Sequence, residues 1–303
     1  MALFSIIIAV YNDWSALGPC LQSLSRLVSG TDFEVIVIDD GSLELAPEEI
    51  RQFEERLKLT ISRQPHAGIS TARNHGIRVS KGSILLFMDA DCRLQPDCLA
   101  ELASTASSLP VHSCFQLRIV GDCRGIVGRA EELRLLTLQN HLLQPDGRIR
   151  YLNTSGFAIR RSHIDTDNGL FDIAVFRAED TLLLANLLER GELPFFATTA
   201  VVRHDIRLSV FGCFRKDVRS ALLEGPTFEL IARKGIRIRM SNRERLGLLR
   251  SMWDISKQPS IGRGAWLLLA VRQSLQRITS LVYAAFSSQP VSGTRDLTSE
   301  SHP

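Results

Sequence analysis

The chain has 303 residues, 45% hydrophobic and 23% charged, which excludes a disordered polymer and allows one large domain or two halves sharing a core. A net charge of +3 is too small to imply a nucleic-acid partner. The six cysteines (Cys20, Cys92, Cys98, Cys114, Cys123 and Cys213) contain no CxxC pair, which excludes a zinc knuckle or a thioredoxin-like motif. They read as free thiols in a reducing, cytoplasmic setting.

Residues 4–10, FSIIIAV, form a short β-branched run that ends in loop and cap residues at Tyr11-Asn12-Asp13. No basic segment precedes this run and no small-residue cleavage site follows it, so it does not read as a signal peptide. Leu17, Leu21, Leu24 and Val28 then recur at helical spacing. FEVIVIDDGS, residues 33–42, is a second strand running into acidic residues. Pro47 opens a helix carrying Ile50, Phe53 and Leu57. Residues 59–62 predict a third strand and residues 69–79 a third helix. SILLFMDAD, residues 83–91, predicts a fourth strand.

Continuous apolar strands alternating with amphipathic helices predict a mostly parallel α/β sheet covered on both faces. Ligands on such sheets bind beyond the carboxyl ends of the strands. The polar clusters at Tyr11-Asn12-Asp13, Asp39-Asp40-Gly41-Ser42 and Asp89-Ala90-Asp91 therefore converge on one crevice. After residue 110 the alternation breaks. A strand is predicted over 115–120, a helix over 129–143, a turn at Pro145-Asp146-Gly147, a segment YLNTSGFAIRR at 151–161 and a helix from Glu179 to Gly191. The strand FFATTAVV then leads into Arg203-His204-Asp205.

Asp89 and Asp91 lie two apart at the end of an apolar strand, where extended residues point the same way. Two adjacent carboxylates repel, and a divalent cation relieves the repulsion. Oxygen ligands suit Mg2+ or Mn2+, which can bridge a diphosphate. Alone, an acidic pair of this kind is common in loops.

The ordered series SIIIAVYND, EVIVIDDGS, HAGISTARNHGI, GSILLFMDAD and AED resembles glycosyltransferase family 2, over about residues 3–215. The resemblance implies a GT-A-like fold and an inverting, metal-dependent transfer of one sugar from a nucleotide-diphosphate donor, a UDP-sugar being favoured. It implies that Asp40 reads the nucleobase, a carboxylate being able only to accept from a ring N–H. Asp39 is then structural, and Ala9 and Tyr11 line the base pocket. Arg73 contacts the nucleotide or Asp91. Asp91 holds the metal, with Asp89 beside it near ribose or metal, and His204 completes the site. Asp180 is the general base that takes the acceptor proton, with Asp172 a weaker alternative. Asn153-Thr154-Ser155-Gly156 floors the donor sugar and acceptor, Gly156 allowing close backbone approach.

The residues also keep other readings open. Asp180 can simply favour its helix N-terminus, His204 can be a satisfied structural histidine, and Tyr11 a half-buried aromatic. A non-catalytic nucleotide-sugar-binding partner of another enzyme is the second reading, opposed by the intact acids. A sugar nucleotidyltransferase needs a Gly-rich loop after the first strand, and residues 9–13 contain no glycine. Thr181-Leu182-Leu183-Leu184 after the ED pair departs from the family pattern and leaves acceptor recognition open. The QxxRW motif of processive synthases is absent.

The predicted organisation is a nucleotide-sugar-binding half (1–110), an acceptor-binding and catalytic half (111–215), a basic helical C-terminal extension (216–286) and a disordered tail (287–303). From 216 to 277 thirteen Lys or Arg stand against five Asp or Glu. Residues 266–286 form an amphipathic helix: Arg272, Gln273, Gln276, Arg277 and Ser280 fall on one arc, and Val271, Leu275, Ile278, Leu281, Val282 and Phe286 on the other. No stretch reaches 18 uninterrupted apolar residues. Spanning a bilayer would bury both arginines at about 2.5–3.5 kcal/mol each. Lying on an anionic membrane face through 233–286, where it would meet a glycan or lipid-linked acceptor, is the peripheral alternative to packing on its own domain or on a second copy.

Overall fold

The computed structural model describes residues 4–28, 30–165, 168–236, 238 and 240–287. The first half follows the predicted alternation. β1 (Phe4–Val10), β2 (Phe33–Asp39), β3 (Leu59–Arg63) and β4 (Ile84–Asp89) pair in parallel in the order β3-β2-β1-β4. They are joined by α1 (Trp14–Leu24), α2 (Glu48–Arg51) and α3 (Ile69–Val79). Successive strand residues point to opposite faces, so Phe4, Ile6, Ile8 and Val10 pack with Leu17, Leu21 and Leu24 of α1, while Ile7 packs with Ala72 and Ile77 of α3. Both faces of β1 are therefore buried, which is why its sequence reads as an unbroken apolar run.

The second half adds β5 (Cys92–Leu94), α4 (Cys98–Ser108), β6 (Cys114–Gly121), α5 (Gly125–Leu142), β7 (Phe157–Arg160), α6 (Glu179–Glu189) and β8 (Phe195–His204). One eight-stranded sheet results, continuing β4-β7-β6-β8-β5. β7 runs antiparallel to β4 and β6, β8 runs parallel to β6, and β5 antiparallel to β8. The two predicted halves thus share one sheet. The C-terminal extension forms α7 (Val210–Leu223), α8 (Gly225–Arg233), α9 (Asn242–Ile255) and α10 (Arg263–Ser287). Leu248, Met252, Ala265, Leu268 and Leu269 bury against Val127, Ala130 and Leu133 of α5. No described helix is long and apolar enough to cross a membrane. Of the predicted tail 287–303, residues 288–303 lie outside the described residues.

Several boundaries differ from the sequence reading. α1 stops at Leu24, leaving Val28 beyond it and exposed. α2 is a single turn, after which Phe53 and Leu57 are buried from a series of turns. β4 ends at Asp89, and Ala90 and Asp91 turn the chain into β5, so the two aspartates are not same-face neighbours of one strand. α10 turns its polar arc toward the protein and its apolar arc outward, the reverse of a helix that buries its apolar arc on its own domain. Arg272 is bonded through two nitrogens to Asp217 of α7, whereas Val271, Ile278, Leu281 and Val282 are exposed. All six cysteines are free thiols, and all but Cys123 are buried.

The start of β4 approaches β1 through Gly82, whose N–H donates to Ser5 Oγ at 2.7 Å. A Cβ at this position would lie 2.5 Å from Ser5 N and 2.6 Å from the Phe4 carbonyl carbon, backbone atoms that cannot swing away. Gly82→Ala is expected to cost about 1–3 kcal/mol, as overpacking does. Urea unfolding checks this, and an unchanged midpoint would show that the β1–β4 junction yields.

Candidate active site

A cavity of about 560 Å³ opens beyond the strand ends. Asp89, Asp91 and His204 line one side, Asn153, Thr154 and Ser155 the floor, and Glu179 and Asp180 the start of α6. The far wall belongs to α5, α7 and α10, through Arg134, Lys216, Asp217, Arg272, Gln273 and Gln276. Separate strand and helix ends therefore bring Asp89, Asp91, Asp180 and His204 to one space, as expected for a sheet of this type.

The candidate base pocket forms where β1 and β2 end. Ala9 is in register with Ile38 on one side and Asp89 on the other, so a small side chain separates the two acidic strand ends. Tyr11 is 47% exposed and stacks on His66, with ring centroids 4.1 Å apart. Asp40 is buried, and its carboxylate accepts from Gln64 Nε2 at 2.7 Å, Ala67 N at 3.0 Å and Gly68 N at 2.9 Å. It therefore holds the 64–68 loop that presents His66. Asp39 accepts from Ser42 N at 2.8 Å, in line with the structural role expected of it. Asn12 ties the two loops together, receiving Leu43 N on its side chain at 2.7 Å.

Arg73 lines the cavity as a buried side chain and bonds Asp89 and Glu179 instead of Asp91. It is 2% exposed, donates to Asp89 Oδ1 at 2.9 Å and to Glu179 Oε1 at 2.8 Å, and sits over the Phe171 ring. The other oxygen of Asp89 accepts from Ser155 Oγ at 2.6 Å. Both oxygens of Asp89 are thus committed to protein donors. Burial opposes the charge of Asp89, but the Arg73 guanidinium and the Ser155 hydroxyl outweigh it and hold the carboxyl below its usual value.

Asp91 is free of such anchors. β5 pairs with β8 so that Cys92 faces His204, and the next residue back, Asp91, has its Oδ2 3.2 Å from His204 Nε2. Burial works against a charged His204 ring, yet the Asp91 carboxylate raises its pKa overall, helped by Glu131 and Asp89. Asp91, Cys92 and His204 place their ligand atoms within 4.8 Å of one another. Cys92 is fully buried, and burial together with the nearby aspartates pushes its thiol far up, which keeps the proton on sulfur. A carboxylate and an imidazole opening on a cavity are donors that would suit a divalent ion. His204 Nδ1 is buried without a hydrogen-bond partner among the described residues, so no carboxylate or carbonyl fixes the ring from behind.

Asp180 is the second residue of α6, which opens at Glu179 directly after Ala178, a residue in a left-handed conformation (φ 60°) unusual for one with a Cβ. Burial and the adjacent Glu179 charge raise its pKa to about 6, against the opposing pull of the Thr181 amide and Arg73. That range suits a group that takes a proton near neutrality. Asp172 is exposed, accepts from Ala174 N, and does not line the cavity. The floor is fixed by Gln116, fully buried, whose amide donates to Gly156 O at 2.9 Å and accepts from Asn153 N at 2.8 Å. Gln116 and the far-wall residues Arg134, Lys216, Asp217, Arg272, Gln273 and Gln276 carry no local motif. Only the polar arc of α10 signalled any of them. Burial opposes the charge of Glu131 on α5, but its fork with Arg134 holds it down at about 2.

The sequence profile described as "Glycosyl transferase family 2" matches residues 5–167. The chain is 32% identical over 105 residues to the "Putative glycosyltransferase EpsH" of Bacillus subtilis, which is 34% of this chain and 30% of that protein. It is 36% identical over 111 residues to the "Glycosyltransferase AglE" of Haloferax volcanii, 35% of this chain and 36% of that protein. These alignments span about a third of each relative. In three dimensions the chain resembles the mannosyltransferase PcManGT of Pyrobaculum calidifontis in complex with GDP-Man and Mn2+, with a TM-score of 0.62 and 16% identity over 95% of this chain and 88% of that one. It also resembles S. aureus TarS 1-349 in complex with UDP-GlcNAc, with a TM-score of 0.53 and 16% identity over 95% and 92%. The architecture is the GT-A type of α/β sheet, with helices covering both faces and a helical C-terminal extension. The chain belongs to glycosyltransferase family 2.

Arg73 is the only described cation that bonds Asp89 and Glu179. Arg73→Ala leaves two carboxylates without it in a buried setting and is expected to cost about 3–5 kcal/mol of stability. Denaturant unfolding measures this, and a loss below 1 kcal/mol would show that water substitutes freely for the guanidinium.

Proposed function

We propose that the protein is an inverting glycosyltransferase that moves one sugar from a nucleotide-diphosphate donor to a hydroxyl of a glycan or glycolipid. The observation that carries this reading is the sharing of one cavity by the Asp91–His204 pair and Asp180, whose pKa sits near 6. The nucleobase stacks on Tyr11 and His66, beside Ala9, with Asp40 supplying the carboxylate that reads a ring N–H. This favours uracil, and UDP-sugars are the first donors to test. Nucleotide-sugar complexes among the structural neighbours support a donor of this class.

Asp91 and His204 hold the divalent ion, and Asp89, oriented by Arg73 and Ser155, faces the ribose and sugar. Bound there, a divalent ion would supply charge neutralisation for the diphosphate. Asp180 accepts the proton of the acceptor hydroxyl. The acceptor oxygen bonds the anomeric carbon from the face opposite the phosphate, the carbon–phosphate oxygen bond breaks, and the nucleoside diphosphate departs with inverted configuration in the product. An imidazole ligand favours Mn2+ over Mg2+, since Mg2+ prefers oxygen.

The test is release of nucleoside diphosphate from a panel of UDP- and GDP-sugars, with Mn2+ or Mg2+ and a panel of sugar acceptors. Asp91→Ala is expected to abolish release, and Asp180→Asn to lower turnover about 10²–10⁴-fold while donor binding persists. Because the base must be unprotonated, kcat/KM falls as pH drops through about 6. Donor binding with no transfer, unchanged in Asp180→Asn, favours the non-catalytic partner reading instead.

Peripheral membrane contact gains support from α10, which leaves Leu267, Val271, Ile278, Leu281 and Val282 as an exposed apolar stripe beside the cavity wall. Burying this stripe at the headgroup boundary would bring a lipid-linked acceptor to the cavity. Ile278→Glu with Leu281→Glu is expected to abolish co-sedimentation with phosphatidylglycerol vesicles while soluble donor hydrolysis is kept. Retained sedimentation removes α10 as the contact.

A further inference from the structure

β5 and β8 carry two successive cross-strand pairs of opposite character. Cys92 faces His204 beside the candidate metal site, and the next pair is Arg93 facing Arg203. Like charges directly opposite one another in an antiparallel pair repel. Two more guanidinium groups join them, Arg26 from the turn after α1 and Arg124 from the turn before α5. Together with Ser23 and Gln95 these arginines line a depression of about 280 Å³. None of its lining residues lines the large cavity.

The local acids neutralise only one of these four arginines. Arg93 is paired with Asp205. Among the described residues the side chains of Arg26, Arg124 and Arg203 make no hydrogen bond and no ion pair. Asp122 accepts from the backbone N–H of Arg124 at 3.0 Å, and Glu132 is turned onto the backbone N–H of Gly121. Four segments distant in sequence thus converge to place like charges together, three of them without an ion pair among the described residues. Guanidinium forks match the oxygens of phosphate in geometry and charge. The depression is too small for a whole nucleotide-sugar but large enough for a phosphate or diphosphate group.

We infer that this depression is a second anion site, separate from the donor cavity, that binds a phosphate-bearing ligand through Arg26, Arg93, Arg124 and Arg203. The phosphate belongs either to a soluble phosphorylated molecule or to a lipid headgroup. The inference rests on the arginine cluster and not on the transferase reading, so the two fail separately.

Inorganic pyrophosphate is titrated calorimetrically at low salt in EDTA, so that no metal at Asp91 recruits it to the cavity. Arg26→Gln with Arg124→Gln is compared with a control of equal charge, Arg56→Gln with Arg190→Gln, at exposed positions outside the depression. In parallel, both forms are sedimented with phosphatidylglycerol and phosphatidylcholine vesicles, and donor affinity with Mn2+ is recorded. The expected result is a weakening of pyrophosphate binding by about tenfold or more in the Arg26/Arg124 variant alone, with donor affinity and melting temperature kept. A matching loss of phosphatidylglycerol sedimentation identifies a headgroup, and its retention identifies a soluble phosphate. If the wild-type chain binds neither probe, or the control loses as much as the Arg26/Arg124 variant, the site does not exist.

Discussion

One buried guanidinium joins the two acidic motifs of this chain. Arg73 reaches from α3 to Asp89 at the end of β4 and to Glu179 at the start of α6, 106 residues further on than Arg73 itself. Without it, Asp89, Glu179 and Asp180 would crowd three carboxylates around one cavity. Burial alone would drive protons onto Asp89 and Asp180. With it, Asp89 is held charged below its usual range, while burial and the Glu179 charge raise Asp180, which has no direct bond to the guanidinium, to about 6 against the weaker pull of Arg73. The same cation thus separates two nearby carboxyls into a fixed anion and a titratable one. Such a division is what assigns different tasks to similar groups.

The candidate metal site depends on a second constraint, the three-residue strand β5. After Asp89 the chain turns at Ala90 and Asp91 and returns along β8, and this antiparallel pairing sets His204 beside Asp91 across 113 residues. The two aspartates of the motif consequently do different things. Asp89 spends both oxygens on Arg73 and Ser155, whereas Asp91 faces His204 and the open cavity.

Much of this was legible in the residues. β1, β2 and β4 announce themselves because burial on both faces demands unbroken apolar runs, and the polar residues after them mark the site. Ala9, Tyr11, Asp40, Asp89, Asp91, Asp180 and His204 were expected as site residues from the family resemblance of the ordered motifs, and the fold places them at neighbouring strand and helix ends. What was illegible has a physical reason in each case. Cys92-Arg93-Leu94 is too short to show a period, and its strand character comes from pairing with β8. The bonds of Arg73 could not be read because Asp89 and Glu179 become its neighbours only in three dimensions. Gln116 works entirely through backbone groups of a distant segment, so no pattern precedes it.

The orientation of α10 shows most clearly why periodicity has a limit. Its two arcs were visible, but the sequence of the helix cannot say which one faces inward. Hydrophobic burial by itself would turn Val271, Ile278, Leu281 and Val282 toward the protein, each worth about 1.5–3 kcal/mol if fully buried. The opposite happens because Ala265, Leu268 and Leu269 dock the first turns on α5 and α7, and because Asp217 meets Arg272 with two hydrogen bonds at 2.7 and 2.9 Å. Gln276 continues the polar side toward Glu224. The helix therefore spends its polar arc on the cavity wall and leaves its apolar arc outside. A segment arranged only for stability would not do this, so the C-terminal extension is best understood as the fourth side of the cavity.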